Sequence, residues 1–453
     1  MPSAVRLHER CACSVPSGSF ALAGTSRKYE RSRPFQTRHL ALELEIDFDS
    51  KSVKGTARLD LTRSATDVSR LELDAVDFEI ESVRMDVGSG WQAPRYEYDG
   101  DKLALEPPPE ASTVRVEVKY AAHPRRGLYF IGPDAKLPHK PVQVWSQCQD
   151  EDARHWFPCQ DKPNVKMTSE LAVTVPRGFV ALSNGELVDK RRAGGSRERY
   201  HFRLDRPHPS YLVTLVVGKF EVLSASAPSG DPARGDIALA YYVENGRRDD
   251  AERTFAETPR MLGLIAELTG VPYPYSRYSQ VVVSDFVFGG MENTTATTLY
   301  EHVLLDERAA LDVTSNDLIV HELAHQWFGN YVTCRDWSHA WLNEGFATFF
   351  EHLERGSREG RDAYDFGILS DLSSYLAEAD GRYRRAIVCR DYELPIDLFD
   401  RHLYEKGGLV LHLLRRELGD GIFWRGVKLY LERNAYGIVE TRDLERALEE
   451  VSG

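Results

Sequence analysis

The sequence predicts an α+β fold of several domains, in which an antiparallel β domain precedes a mostly helical domain. Two observations lead to this prediction. In the first half of the chain, apolar and polar residues alternate along several segments, which is typical of half-buried strands. Beyond residue 235 the apolar residues recur at helical spacing over longer segments. A chain of 453 residues is long enough for two or three domains, each with its own core.

The predicted β domain spans residues 28–222 and is expected to consist of two packed sheets. Its clearest strand lies at 40–48, where every second residue is apolar and the residues between are alanine or acidic. Asp-Gly and Asn-Gly pairs between the strands are turn signals. Residues 1–27 are polar and are predicted to be a flexible leader. The further strand candidates are 57–61, 114–120, 171–175 and 212–217.

The predicted helical domain spans residues 223–453 and begins with a stretch rich in Ser, Pro, Gly and Asp. One strand candidate, at 280–283, interrupts the helical pattern. The predicted helices are 249–269, 318–328, 340–355, 363–379, 403–418 and 440–452.

Composition excludes several classes of function. The net charge is −13, and no long cluster of Lys and Arg occurs, so a nucleic-acid partner is not expected. No apolar run approaches the roughly 18 residues of a membrane span, and the first residues lack the apolar run of a secretory signal. The six cysteines have no disulfide-scaffold spacing, so a cytoplasmic protein is expected. His8, Cys11 and Cys13 could hold a metal, but a disordered leader is the preferred interpretation.

The run His321-Glu322-Leu323-Ala324-His325 carries the strongest functional signal. Two histidines four positions apart on a helix share one face, with about 5–6 Å between their Cβ atoms. His321 and His325 can therefore bind one Zn²⁺. Glu322 lies on the flank of that face, where it can reach a water molecule at the metal without being a ligand.

Glu344 is the predicted third ligand. Eighteen residues separate it from His325, which allows a helix, a connector at 331–334 and a return helix at 340–355. Tryptophan and phenylalanine residues surround Glu344 in the sequence, so its helix is expected to be buried. A buried carboxylate needs a partner or a metal. The sequence thus predicts one zinc ion per chain, with three protein ligands and the open position of a catalytic site.

This arrangement resembles the M1 family of zinc aminopeptidases, which are gluzincins, and three further motifs strengthen the resemblance. All lie in the family's order between residues 147 and 407. They are Gln147-Cys148-Gln149 followed by Phe157-Pro158-Cys159-Gln160-Asp161, then Gly289-Gly290-Met291-Glu292-Asn293, and finally Tyr404-Glu405-Lys406-Gly407.

The resemblance implies a β-sandwich-like domain followed by a thermolysin-like catalytic domain, and hydrolysis of the N-terminal bond of peptides with a free amine. It assigns Glu322 as the general base and Tyr404 as the donor to the oxyanion. It assigns Glu292 as the anchor of the substrate amine, with Gln149 as a second acceptor. The predicted substrate-binding set also includes Gly289, Gly290, Met291 and Asn293, while Phe288 and Phe399 fit either a side-chain pocket or the core.

Several alternatives stay open. Leukotriene A4 hydrolase, a bifunctional member of the family, shares two of the motifs, but residues 396–403 do not match the positions associated with its epoxide chemistry. M1 enzymes carry a further helical domain, whereas this sequence ends at Gly453. A truncated form, a split form and a fragment are all compatible with that ending. A catalytically weak or non-catalytic scaffold is therefore the alternative function, and the sequence does not indicate the oligomeric state.

Overall fold

A computed structural model describes residues 18–30, 33–65, 68, 70–231 and 233–453 of the chain. His8, Cys11 and Cys13, which were considered above as possible metal ligands, lie outside the described residues. The structure confirms the predicted α+β class, with a β-rich first part followed by a mostly helical part.

The first part is built from strands with clear alternation of buried and exposed side chains. In β1, Leu40, Leu42, Leu44 and Ile46 are buried, and the two glutamates between them are exposed. The strands in chain order are β1 (Phe35–Asp47), β2 (Ser52–Arg63), β3 (Leu71–Asp74), β4 (Phe78–Asp86), β5 (Tyr96–Tyr98), β6 (Lys102–Leu105), β7 (Thr113–Ala122), β8 (Gly127–Ile131), β9 (Gln143–Gln147), β10 (Lys166–Pro176), β11 (Val180–Ser183), β12 (Glu186–Ala193), β13 (Arg197–Pro209) and β14 (Leu215–Gly218).

These strands form three sheets that share one hydrophobic core. The largest has the order β12-β13-β10-β1-β2-β7-β4, the second β11-β14-β9-β8 and the third β3-β6-β5. The sheets are antiparallel as predicted, except that β1 and β10 pair in parallel, with His39 opposite Thr168. Because these two strands are far apart in sequence, no turn constrains their relative direction.

A five-stranded sheet opens the second part of the chain. Its strands are β15 (Phe220–Ala227), β16 (Ile237–Glu244), β17 (Arg277–Val283), β18 (Gly290–Met291) and β19 (Ala296–Tyr300), in the order β15-β16-β17-β19-β18. The predicted domain boundary at residue 222 therefore falls inside β15. The short strand β18 lies at the edge of the sheet, where an added strand could pair with it.

The helices that follow enclose the predicted motif residues. They are α1 (Arg248–Thr254), α2 (Thr258–Thr269), α3 (Asn316–Ala324), α4 (Trp341–Glu359), α5 (Arg361–Gly381), α6 (Glu405–Leu418), α7 (Asp420–Arg433) and α8 (Thr441–Ser452). A two-stranded parallel sheet joins β20 (Thr333–Cys334) to β21 (Ile438–Val439), and it holds the connector between α3 and α4. In the described part of the chain, none of the helices combines the length and apolar character that a membrane crossing requires.

Two helices differ from their predicted limits. The segment predicted as one helix at 249–269 is divided into α1 and α2, because Pro259 stands in the first turn of α2. A proline favours that position and is excluded from a helix interior. The helix predicted to run to Phe328 ends at Ala324, after which Gln326 and Trp327 continue in tighter turns bonded to the third residue before them.

The described residues of the predicted leader pack against the second part of the chain. We call residues 18–30 the N-terminal strap. The backbone amide of Lys28 donates to the carbonyl of Arg390 at 2.8 Å, and the Phe20 and Tyr383 rings lie 5.1 Å apart.

Two glycines set the distance between α4 and α6. A Cβ atom added to Gly407 would lie 2.8 Å from the Cα of Gly345, which is closer than such atoms approach. The helices can touch through their backbones only because both residues lack side chains. Since α4 carries Glu344 and Tyr404 immediately precedes α6, this contact places two predicted site residues near each other.

We predict that Gly407→Ala lowers the free energy of unfolding by about 1–3 kcal/mol, because α4 and α6 must separate to admit the methyl group. Chemical denaturation measures the change. Gly263 in α2 is the matched control, because an added Cβ there meets open space. Gly263→Ala should leave stability unchanged or raise it by up to about 1 kcal/mol. Equal stability of Gly407→Ala and the wild type would show that the contact does not constrain the helices.

Candidate active site

Three predicted ligand atoms converge between α3 and α4. The Nε2 atoms of His321 and His325 lie 3.2 Å apart. Oε2 of Glu344 lies 3.4 Å from Nε2 of His321 and 3.2 Å from that of His325. These three side chains form one of two groups of potential metal ligands among the described residues, and the other group is Glu378, Asp400 and His402.

The triangle of ligand atoms fits a zinc ion. Bonds of about 2.0–2.1 Å in tetrahedral geometry separate neighbouring ligand atoms by about 3.3 Å. The observed edges of 3.2–3.4 Å match that value. Imidazole nitrogens with a carboxylate oxygen form the ligand set of catalytic zinc sites, and three protein ligands leave a fourth position open.

Hydrogen bonds fix the orientation of both imidazole rings. Nδ1 of His321 lies 2.7 Å from Oε1 of Glu351, and Nδ1 of His325 lies 2.9 Å from the carbonyl oxygen of Phe328. An Nδ1–H group that donates to each of these acceptors leaves Nε2 unprotonated, as a metal ligand must be.

Buried carboxylates give this site an excess of negative charge. Glu292, Glu322 and Glu344 are each at most 4% exposed. Burial raises the pKa of Glu322 to about 8, and the neighbouring His321 and His325 offset this effect only in part. Burial also opposes the charge of Glu344, but His325 and His321 outweigh it and lower that pKa to about 2. A divalent cation would supply the compensating positive charge.

Glu322 lines the same cavity as His321, one of the three candidate metal ligands. The cavity has a volume of about 570 Å³ and is lined in part by His321, Glu322, Gln149 and Tyr404. Oε2 of Glu322 is buried and has no hydrogen-bond partner within the described residues. A Cβ atom on Gly290 would lie 2.3 Å from Oε1 of Glu322, so only glycine permits this carboxylate position. The unpartnered oxygen is available to accept a proton or a hydrogen bond.

Glu292 lies beside the metal ligands and is held by its backbone. Nε2 of Gln149 is 3.2 Å from Oε1 of Glu292 and 3.5 Å from Oε1 of Glu344. The carbonyl of Glu292 accepts hydrogen bonds from Asn330 at 2.7 Å and from Gln326 at 3.1 Å. Burial raises the pKa of Glu292 above its usual value. The carboxylate is thus fixed close to the metal site without being part of the ligand triangle.

Tyr404 lies across the cavity, at the start of α6. Its ring centroid is 6.1 Å from that of His321. The preceding turn is held by Asp400, whose carboxylate accepts from the backbone amide of Leu403 at 3.1 Å and from Nε of Arg385 at 2.8 Å. The amide of Tyr404 donates to the carbonyl of Asp400 at 3.2 Å. These bonds fix the direction from which the phenol enters the cavity.

The other residues of the predicted substrate-binding set divide into two groups. Gly289 and Gly290 line the cavity, as do the two aromatic residues Phe288 and Phe399. Met291 and Asn293 are buried, and the Asn293 side chain donates to Thr298 at 3.2 Å. Through these contacts the second pair supports the loop and does not face the cavity, although the backbone at β18 stays available to a ligand.

The sequence prediction missed three supporting residues. Glu351 orients His321, and its position offered a signal, because it follows Glu344 by two helical turns and so shares its face. Gln326 and Asn330 secure the Glu292 loop. Nothing in their local pattern indicates this role, since their partner lies more than thirty residues away in the chain.

We predict that Glu351→Gln weakens zinc binding by about 10- to 100-fold, because the amide accepts more weakly from the His321 ring. Competition with a chromophoric chelator measures the affinity. Glu359→Gln, at the exposed end of the same helix, is the control and should bind zinc as the wild type does. Wild-type affinity in Glu351→Gln would show that this hydrogen bond does not support the metal site.

Comparisons with known proteins agree with this geometry. Residues 253–453 match the model of the peptidase family M1 domain, and residues 28–212 match that of the peptidase M1 N-terminal domain. Similar proteins include aminopeptidase M1-D of Oryza sativa subsp. japonica, which is 31% identical over 72% of this chain. Puromycin-sensitive aminopeptidase of Caenorhabditis elegans is 28% identical over 98%, and leucine aminopeptidase 2 of Pyricularia oryzae is 30% identical over 88%.

The matched regions span 37%, 48% and 65%, respectively, of these three relatives. The two family models together cover both parts of the fold, and their junction lies near β15 and β16. The ligand triangle, the glutamate beside it and the ordered motifs all lie within the matched residues. The chain belongs to the M1 family of peptidases.

Proposed function

We propose that this chain is a zinc-dependent aminopeptidase, which removes the first residue from peptides that have a free amine. The observation that carries the proposal is the position of Glu292. The Gln149 side-chain amide lies within hydrogen-bond distance of both the buried Glu292 carboxylate and the Glu344 carboxylate. An anchor for a cationic amine is therefore separated from the candidate metal ligand Glu344 by only the Gln149 side chain. The names of the relatives, all aminopeptidases, support this choice.

His321, His325 and Glu344 would hold one zinc ion per chain. When bound there, zinc supplies Lewis acidity, which lowers the pKa of a water molecule and polarises the scissile carbonyl. Glu322 acts as the general base and takes the proton of the attacking water at its unpartnered Oε2. The same carboxyl then returns the proton to the leaving amine.

Tyr404 stabilises the developing oxyanion by donating its phenolic proton in a hydrogen bond. Burial raises the pKa of Tyr404 well above its usual value, so the hydroxyl stays protonated as this role requires. The Asp400 turn holds the ring in place before the substrate binds. Such preorganisation favours the transition state over the bound substrate.

The anchor explains why cleavage would occur at the first bond only. Glu292 binds the substrate ammonium by charge-assisted hydrogen bonds, and the edge strand β18 offers backbone groups to the extended peptide. The fixed distance between this anchor and the metal ligands selects the first peptide bond. A cytoplasmic location is part of the proposal, and it is supported by four buried cysteines that are free thiols within the described residues.

We predict that Glu322→Gln lowers kcat by at least about 10²- to 10⁴-fold, because the amide is nearly isosteric but cannot take a proton. Zinc content should not change. Asp317→Asn, on the same helix and paired with Arg355, is the control for altered helix charge. Turnover near the wild-type rate in a zinc-loaded Glu322→Gln variant would exclude the base role.

We predict that the wild type cleaves a free-amine peptide far faster than its N-acetylated form, because acetylation removes the charge that Glu292 binds. Glu292→Ala should lower kcat/KM on the free peptide by tens- to thousands-fold, consistent with about 2–5 kcal/mol for a truncated buried charge pair. The difference in kcat/KM between the free-amine peptide and its N-acetylated form should then become smaller. Equal cleavage of both by the wild type, or initial cleavage at internal bonds, would contradict the aminopeptidase assignment.

A further inference from the structure

A second, larger cavity adjoins the candidate active site. Its volume is about 940 Å³, compared with about 570 Å³ for the cavity beside His321 and Glu322. Glu351, Phe399 and Tyr404 line both cavities, so the second cavity begins beside Tyr404, the proposed donor to the oxyanion. Part of its wall comes from the N-terminal strap, through Phe20 and Leu22.

The lining of this cavity is strongly acidic. The cationic side chains in the lining are Arg382 and Arg401. The acidic side chains outnumber them and are Glu351, Asp371, Glu378, Glu393, Asp397, Asp400 and Glu405. A cavity with such an imbalance concentrates field lines and attracts cations.

Five of these seven carboxylates already lie beside a basic side chain. Arg382 pairs with Glu378, Arg401 with Glu405, and Arg385 with Asp400. His321 contacts Glu351 at 2.7 Å, and His352 contacts Asp371 at 2.7 Å.

Two of the carboxylates remain without such a partner. Glu393 and Asp397 form no ion pair with Lys, Arg or His within the described residues. Glu393 accepts a hydrogen bond from the Thr25 hydroxyl of the strap at 2.5 Å, and Asp397 accepts from the backbone amide of Leu394 at 2.9 Å. Their negative charge is therefore held in position but is not neutralised.

A further polar group of the lining also lacks a partner. Thr348 is 5% exposed, and its Oγ1 has no hydrogen-bond partner among the described residues. A buried hydroxyl in this state favours a ligand that brings a polar group or ordered water. Apolar surface from Leu22, Leu394 and Phe399 lies in the same cavity. A ligand group with an apolar chain and a cationic end would match both the apolar and the acidic parts of the lining.

We propose that this acidic cavity binds a Lys or Arg side chain of the peptide whose amine is held at Glu292. The inference rests on the proposed aminopeptidase function and specifies its substrates. The cavity begins at Tyr404, so the side chains on either side of the scissile bond are those that can enter it. The first and second residues of the peptide are therefore the two positions at which a cationic side chain is preferred.

Two series of peptides distinguish these positions. One series varies the first residue and the other varies the second, each comparing Lys with norleucine and Arg with citrulline. We expect kcat/KM to favour the cationic member by about 3- to 30-fold in at least one series, as one or two partly exposed ion pairs would provide. The preference should decrease as ionic strength rises, because salt screens exposed charges.

The double variant Glu393→Gln/Asp397→Asn tests the cavity itself. Both amides keep an oxygen acceptor for Thr25 and Leu394, so the local fold is retained. We expect the ratio of kcat/KM for cationic over neutral peptides to fall at least threefold. The matched control is Glu79→Gln/Glu81→Gln, which removes the same charge from an acidic cavity of about 700 Å³ on the outer sheet. The control should leave the ratio unchanged.

The outcomes separate this inference from the proposed function. Hydrolysis of neutral and cationic peptides at equal rates, or an unchanged ratio in the Glu393/Asp397 variant, overturns the cationic subsite and leaves the aminopeptidase assignment intact. No hydrolysis of any free-amine peptide by the zinc-loaded chain overturns both.

Discussion

The close contact between α4 and α6 at Gly345 and Gly407 is the constraint on which the candidate site depends. One helix contributes Glu344 and Glu351, and the other begins at the residue after Tyr404. Because an added Cβ at either glycine would meet the opposite backbone, the pair acts as a spacer of fixed length. The glycine of the Tyr-Glu-Lys-Gly motif therefore has a packing role, because Tyr404 reaches the cavity only if Gly407 permits the close approach of the two helices.

The buried carboxylates explain why this arrangement implies a metal. Glu292, Glu322 and Glu344 lie together with little solvent, and each would be costly to bury in its charged form alone. Two histidines compensate part of that charge, and their rings are oriented so that their Nε2 atoms face one point. A cation at that point would stabilise the folded arrangement and would supply the chemistry of the proposed function, so both depend on the same charge balance.

Local patterns in the sequence predicted the two-part fold and the metal cluster, because helical spacing alone places His321 and His325 on one face. Contacts between distant segments could not be predicted in this way. The parallel pairing of β1 with β10 and the packing of the strap against Arg390 leave no periodic signal. Glu351 is an intermediate case. Its spacing from Glu344 predicts that both lie on one helix face, but its hydrogen bond to His321 could not be predicted from the sequence. The roles of Glu322, Tyr404 and Glu292 came from the family resemblance and stay predictions.

Metal analysis of purified protein tests the central claim, that His321, His325 and Glu344 bind one catalytic zinc ion. Elemental analysis after dialysis should give one zinc per folded wild-type chain and none in His325→Ala, because two remaining ligands hold catalytic zinc poorly. His302→Ala, an exposed histidine in a short turn, should keep the wild-type content. A folded wild-type chain that binds no zinc, or a His325→Ala variant that retains one zinc ion and full activity, would contradict the account.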